Sequence, residues 1–184
     1  MAFAPTLTTP RLRLVRFGRE HLTERYVAWL NDREVVRFSE QRLRRHTLES
    51  CTAYWRSFEG TPNYLWAIEL TTPEPVHVGN LNAFVDERNR IADLGILVGE
   101  KALWGQGLGR EAWSAGCTFL LNGARMRKVT AGTLATNKGM LAVMRACGMI
   151  EDGRRSRHVL VDGRAVDLVH AALFRADVVE DRGR

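Results

Sequence analysis

A chain of 184 residues is long enough for one well-filled core and too short for two comfortable domains. An apolar fraction of 45% and a charged fraction of 26% exclude a disordered or fibrous chain, and no apolar run approaches the roughly 18 residues of a helical membrane span. The net charge of +6 suits an anionic partner.

Cys51, Cys117 and Cys147 are odd in number, widely spaced and without a CxxC pair, which argues against a disulfide framework or a zinc site; no metal is expected. The first residues, with Pro5 and Pro10 followed by Arg11, Arg13 and Arg16, lack the apolar stretch of a secretory leader. A cytoplasmic protein with no membrane association is the expectation.

In chain order, residues 8–17 alternate Leu12 and Leu14 against Arg11, Arg13 and Arg16, the period of a half-buried strand. Leu22, Tyr26, Trp29 and Leu30 then recur at helical spacing over 19–31, and Leu48, Cys51, Trp55 and Phe58 do so after Thr47, a helix cap. Arg42, Arg44 and Arg45 lie between them with no interleaved aromatic residue, so they read as a solvated loop rather than a nucleic-acid surface. Residues 64–70, 76–85 and 91–98 read as three strands of a meander. A helix over 108–121, a strand over 128–134 and a helix over 137–146 stopped at Gly148 follow. Asp162-Gly163 marks a hairpin between 158–161 and 165–174. Strands first, then strands alternating with helices, predict a mixed α/β sheet in one domain, with its core over about 8–176 and a short flexible tail over 177–184.

The stretch that carries chemistry is Trp104-Gly105-Gln106-Gly107-Leu108-Gly109-Arg110. Glycines let backbone N–H groups converge on one point, and a helix starting there adds the positive end of its dipole, a combination that holds phosphate. Such a turn is also found as a plain tight connection. A Walker loop is excluded because no Lys-Ser or Lys-Thr pair follows. A dinucleotide fingerprint can be forced on Gly107, Gly109 and Ala112, but no strand runs straight into the turn and no acidic residue lies between Ala112 and Ile150 to hold a ribose. That acid-free segment carries Arg125, Arg127, Lys128, Lys138 and Arg145.

The turn resembles the acyl-CoA pyrophosphate loop of the GCN5-related N-acetyltransferases (GNAT), with Trp104 standing where the usual pattern has Gln or Arg, as in the branch that modifies ribosomal-protein N-termini, polyamines and amino sugars. Residues 91–98 resemble that family's fourth strand, and Ala135-Thr136-Asn137 with Cys147-Gly148-Met149 resembles its Asn-initiated helix and exit. The likeness runs from about Leu12 to Phe174. It implies a mostly antiparallel sheet of about seven strands with four helices and splayed central strands.

It further implies acetyl-CoA as cosubstrate, held by Leu97, Val98, Gly99, Gly105, Gln106, Gly107, Leu108, Gly109, Arg110 and Asn137, with the first two helices roofing the acceptor. The acceptor would be a primary amine, on a small molecule or a protein, attacked directly in a ternary complex; family members often pair as dimers. An ammonium of pKa about 10.4 has no lone pair at neutral pH, so a base is needed. Asp93 is the first choice and Glu69 the second; His77, His158 and His170 remain open. Related enzymes place a Tyr or Ser on the second helix for the departing thiolate, whereas Met140 and Met144 stand here. A non-catalytic acyl-CoA-binding or sensing module is the alternative.

Overall fold

In the computed structural model, residues 4–176 are described; the expected tail over 177–184 lies outside them. Eight strands form one sheet: β1 (Leu7–Thr8), β2 (Leu12–Arg16), β3 (Tyr64–Leu70), β4 (Val76–Asp86), β5 (Ile91–Val98), β6 (Lys128–Leu134), β7 (Ile150–Val161) and β8 (Arg164–Phe174), in the order β1-β2-β3-β4-β5-β6-β8-β7. Four helices, α1 (Glu24–Asn31), α2 (Leu48–Arg56), α3 (Leu108–Thr118) and α4 (Lys138–Ala146), complete a single-domain α/β fold.

The expected first strand is broken in two, which raises the count from seven to eight. Pro10 has no N–H to donate, and the break is seized from 100 residues away by Glu111 of α3. Its carboxylate accepts from Thr9 Oγ1 at 2.6 Å, from the Arg11 backbone N–H at 2.9 Å and from Arg11 Nε at 2.7 Å. Burial pushes the Glu111 carboxyl up, and these bonds outweigh it, holding it below its ordinary value. The first helix also begins later than its apolar spacing suggests. Residues Arg19–His21 form a single 3₁₀ turn, and Thr23 then caps α1 by accepting from the Tyr26 N–H. β7 starts eight residues before the expected 158, running exposed along the sheet edge. Its polar residues 151–155 show no alternation because neither side is buried.

The sheet carries a core on each face. Trp66, Leu81, Leu94, Trp113, Leu120, Val129 and Met144 pack between the sheet and α3 and α4. Phe17, Tyr26, Trp29, Cys51 and Leu65 pack beneath α1 and α2. Only one pair of neighbours is parallel. β5 and β6 share three rungs, Ile91↔Lys128, Ala92↔Val129 and Asp93↔Thr130, and then part. β5 stays paired with β4 out to Gly79↔Val98, and β6 stays with β8 out to Leu134↔Leu168. A wedge therefore opens in the middle of the sheet.

One wall of that wedge rests on a close approach at Gly79, where an added Cβ would lie 2.3 Å from the Leu97 carbonyl oxygen. Backbone cannot give way there as a flexible side chain could. Gly79→Ala is expected to destabilise the protein by about 1–3 kcal/mol through overpacking. Urea unfolding checks it: the midpoint falls while the slope is kept.

Candidate active site

The wedge widens into a groove of about 1720 Å³. One end is walled by β5, the glycine loop and the first turn of α3; the other by β6, α4 and the tip of the β7–β8 hairpin.

At the glycine loop, Gly105 and Gly107 adopt φ of +76° and +81°, which a side chain would resist, and Gly107 is the N-cap of α3 with no side chain to cap it. The loop is braced from outside. Trp104 Nε1 donates to the Val98 carbonyl at 2.9 Å, Gln106 Nε2 to the Ala102 carbonyl at 3.0 Å, and Arg11 Nη1 to the Gln106 carbonyl at 2.9 Å. Among the described residues, none of the backbone N–H groups of 105–110 donates to an acceptor of the chain. A row of unpaired amides at the positive end of a helix is an anion site.

The other expected cofactor residues divide. Leu97 and Val98 line the groove, beyond the last rung with β6. The Val98 carbonyl is already bonded to Trp104, so it offers only a second lone pair. Gly99 is turned away: its N–H donates to the Val78 carbonyl at 2.9 Å, and the Trp29 ring occupies the place of a Cβ. Asn137 caps α4, its Oδ1 accepting from the Met140 N–H at 3.2 Å. Its Nδ2 donates to Thr133 Oγ1 at 3.0 Å, so it ties α4 to β6 and makes no bond to β5.

Asp93 sits at the last rung before the strands part, opening onto the groove, with Thr130 Oγ1 donating to its Oδ2 at 2.7 Å. The surrounding protein mass raises its carboxyl above the ordinary value, and Thr130 and the charge of His170 oppose that only in part. Glu69 is elsewhere. It lies outside the groove lining, on β3, 3.2 Å from Nε2 of the buried His21. Since His21 Nδ1 accepts from the Gly18 N–H, its Nε2 carries the proton given to Glu69. His77 also misses the groove lining but supports it. Burial drops its pKa to about 4, and its neutral Nε2–H is shared between the Gly79 carbonyl at 3.0 Å and Asn80 Oδ1 at 2.8 Å. Asn80 lines the groove opposite Leu97, and its side chain also hydrogen-bonds the Tyr26 hydroxyl. His158 is on the rim and His170 behind Gly132, its Nε2 buried without a partner.

The first two helices, expected to roof the acceptor, bring Tyr26 and Tyr54 to the groove; what sequence reading missed is Asn80, Asn82 and Phe84 of β4, which line it as well. Burial pushes the Tyr54 hydroxyl up to about 12 and Tyr26 also well up, so both remain protonated donors. A signal existed: two asparagines at alternate positions of a strand, where Asn is depleted, mark a polar stripe on one face. Among the described residues no group of three or more His, Cys, Asp or Glu is placed to hold a metal, and no helix is long and apolar enough to cross a membrane.

A wedge between a parallel strand pair, with the open amides of a helix N-terminus beside it, is a groove with a built-in anion site, and comparison with known proteins gives its family. Residues 11–150 match the family model of the acetyltransferase (GNAT) domain. The chain therefore belongs to the GNAT family of acetyltransferases. Among solved structures it is similar to a spermidine N-acetyltransferase from Vibrio cholerae in complex with CoA and spermine (TM-score 0.81, 14% identity, 93% of this chain and 99% of that one). It is also similar to a GNAT-family acetyltransferase from Bacillus anthracis (0.79, 16%, 93% and 99%). A third likeness is to RimL, the ribosomal L7/L12 α-N-protein acetyltransferase in complex with coenzyme A (0.79, 15%, 92% and 98%). No curated protein matches the sequence.

The raised Asp93 carboxyl has a consequence for stability. The folded protein binds this proton more tightly than the unfolded chain, so the contribution is complete below the ordinary value of 3.8 and is lost as pH rises through the higher folded value. Asp93→Asn is thus expected to be more stable than wild type at pH 7, the gain vanishing as pH falls below 3.8. Thermal midpoints of both proteins across that range check the sign.

Proposed function

We propose that this acetyltransferase moves the acetyl group of acetyl-CoA to a primary amine by direct attack, with both substrates in the groove together. The observation that carries the reading is the row of open amides at 105–110 beside the parted strands. These amides would take the pyrophosphate, with Arg110 on the same wall. Leu97, Val98 and the β6-facing edge of β5 would take the pantetheine arm, because their strand partner has gone. Gly99 is omitted, its N–H being used inside the fold. Asn137 serves by holding α4 against β6.

The acceptor nitrogen would enter from the Tyr26 and Tyr54 side and lose its proton to Asp93, directly or through a water. The nitrogen forms a bond to the thioester carbonyl carbon, the carbon–sulfur bond breaks, and CoA leaves as a thiolate. Asn80, opposite Leu97, positions the Tyr26 hydroxyl on the wall of the groove. α4 presents Met140 and Val143, which cannot give a proton, so solvent protonates the thiolate; a thiol of pKa about 8.5 leaves without a dedicated acid.

Two variants test this. Gly107→Ala puts a side chain at φ of +81°, where the strain is about 1–2 kcal/mol, and its Cβ would meet only Arg11 Nη2 at 3.6 Å, an ordinary contact. Relaxation of the loop away from its anion-binding shape should weaken CoA binding about five- to thirtyfold, as read by calorimetry. Asp93→Asn should lower turnover at pH 7 by about 10²-fold or more, with partial recovery at high pH where the amine is already neutral. Thiol release with a panel of amines measures it. Tight acetyl-CoA binding with no amine-dependent release would instead identify a binding module, and a loss that ignores pH would make Asp93 structural.

A further inference from the structure

The arginines of the loop between α1 and α2 are not scattered over solvent. Arg37, Arg42, Arg44 and Arg45 all line the groove, on the loop between the helices that bring Tyr26 and Tyr54 to it. Among the described residues no carboxylate lies within ion-pair distance of any of them. Of the two acidic side chains on the same rim, Glu34 is 3.1 Å from Lys101, which leaves Glu40 alone against four guanidinium groups.

The loop is also built to stay where it is. Asn31 and His46 clasp its ends through Nδ2 to the His46 carbonyl and the His46 N–H to Oδ1, both at 2.9 Å. Arg42 Nη1 donates to the Ser39 carbonyl at 2.8 Å, and Nη2 crosses to the Leu160 carbonyl in β7 at 3.2 Å. Apolar side chains stand open among these charges. Leu43 is 71% exposed, Leu160 69% and Phe84 46%, and all three line the groove. Arginine mixed with exposed apolar side chains is the composition of a protein-binding surface; a sugar has little apolar surface to cover Leu43 and Leu160, and a polyamine, though its methylenes could, carries charge of the same sign as the arginines.

We infer that the acceptor is the α-amino group of an acidic peptide, whose carboxylates face Arg37, Arg42, Arg44 and Arg45 while its apolar side chains cover Leu43, Leu160 and Phe84. This rests on the transferase reading above. A chain terminus can thread the groove to Asp93, and an α-amine, with a pKa of about 7.7–8.0, is far more often neutral at pH 7 than a lysine side chain. A weak carboxylate base then suffices. Polyamines meet like charge at the entrance.

The test uses the whole protein, acetyl-CoA and short peptides sharing their first two residues and their apolar positions, with glutamate, glutamine or lysine elsewhere. The glutamate peptide should show kcat/KM about tenfold or more above the glutamine peptide at low ionic strength, with the gap closing at high salt, and the lysine peptide should be poorest. The side chains of Arg44 and Arg45 make no hydrogen bond or ion pair among the described residues, and the Arg44 N–H bond to the Gln41 carbonyl is kept by any residue but proline there, so Arg44→Glu with Arg45→Glu should keep the thermal midpoint and CoA affinity while shifting preference toward the lysine peptide. Equal rates on all three peptides, or faster transfer to a phosphorylated amino sugar than to any peptide, would overturn the acidic-peptide inference and leave acetyl transfer standing. Bound acetyl-CoA with no thiol release for any amine would overturn both.

Discussion

Three rungs of parallel pairing, ending at Asp93 and Thr130, set the terms for the rest of the molecule. A sheet ordinarily continues because each strand edge needs a partner for its amides and carbonyls, and an unpaired edge inside a protein is costly. Here the chain accepts that cost at one place. β4 holds β5 and β8 holds β6, so each parted strand is still supported on its outer side and the gap cannot close by simple collapse. What fills it must bring polar groups along its length, as an amide-bearing arm does. The open amides of the glycine loop and the polar stripe of Asn80 and Asn82 both line the gap.

Desolvation by the surrounding protein shifts the polar groups beside the gap toward their uncharged forms. His77 is neutral, the tyrosines keep their protons, and Asp93 is less acidic than an exposed aspartate. A general base is more effective as its own proton affinity rises toward that of the group it relieves. The same desolvation lowers the stability of the folded state at neutral pH, so in the proposed role as base Asp93 would set function against stability.

Much of this was legible in the chain. Period-two and helical spacing located β2 to β6, α2, α3 and α4, and Asp162-Gly163, with φ of 47° and 74°, makes the hairpin turn it announced. The three glycines and the absence of acid behind them marked the loop because its conformation is local, set by φ at two positions. What stayed hidden depends on partners distant in sequence. Nothing near Glu69 shows that His21 would hold it, and nothing near Gly99 shows that Val78 would take its N–H. Arg42, Arg44 and Arg45 read as a solvated loop, and Arg44 and Arg45 are exposed while Arg42 is half-buried; the bond of Arg42 to Leu160, 118 positions away, ties the loop to the groove. The break between β1 and β2 needed Glu111 for the same reason.

Glu111 also settles a question of sign. An acidic side chain in the first turn of a helix commonly neutralises the positive pole and would repel a diphosphate arriving there. In this chain its carboxylate is instead turned to the break between β1 and β2 and matched by the Arg11 guanidinium, whose Nη1 reaches on to the Gln106 carbonyl. The helix start thus keeps its attraction for anions, and the opening strands of the chain act as the counterweight that screens the one nearby negative charge.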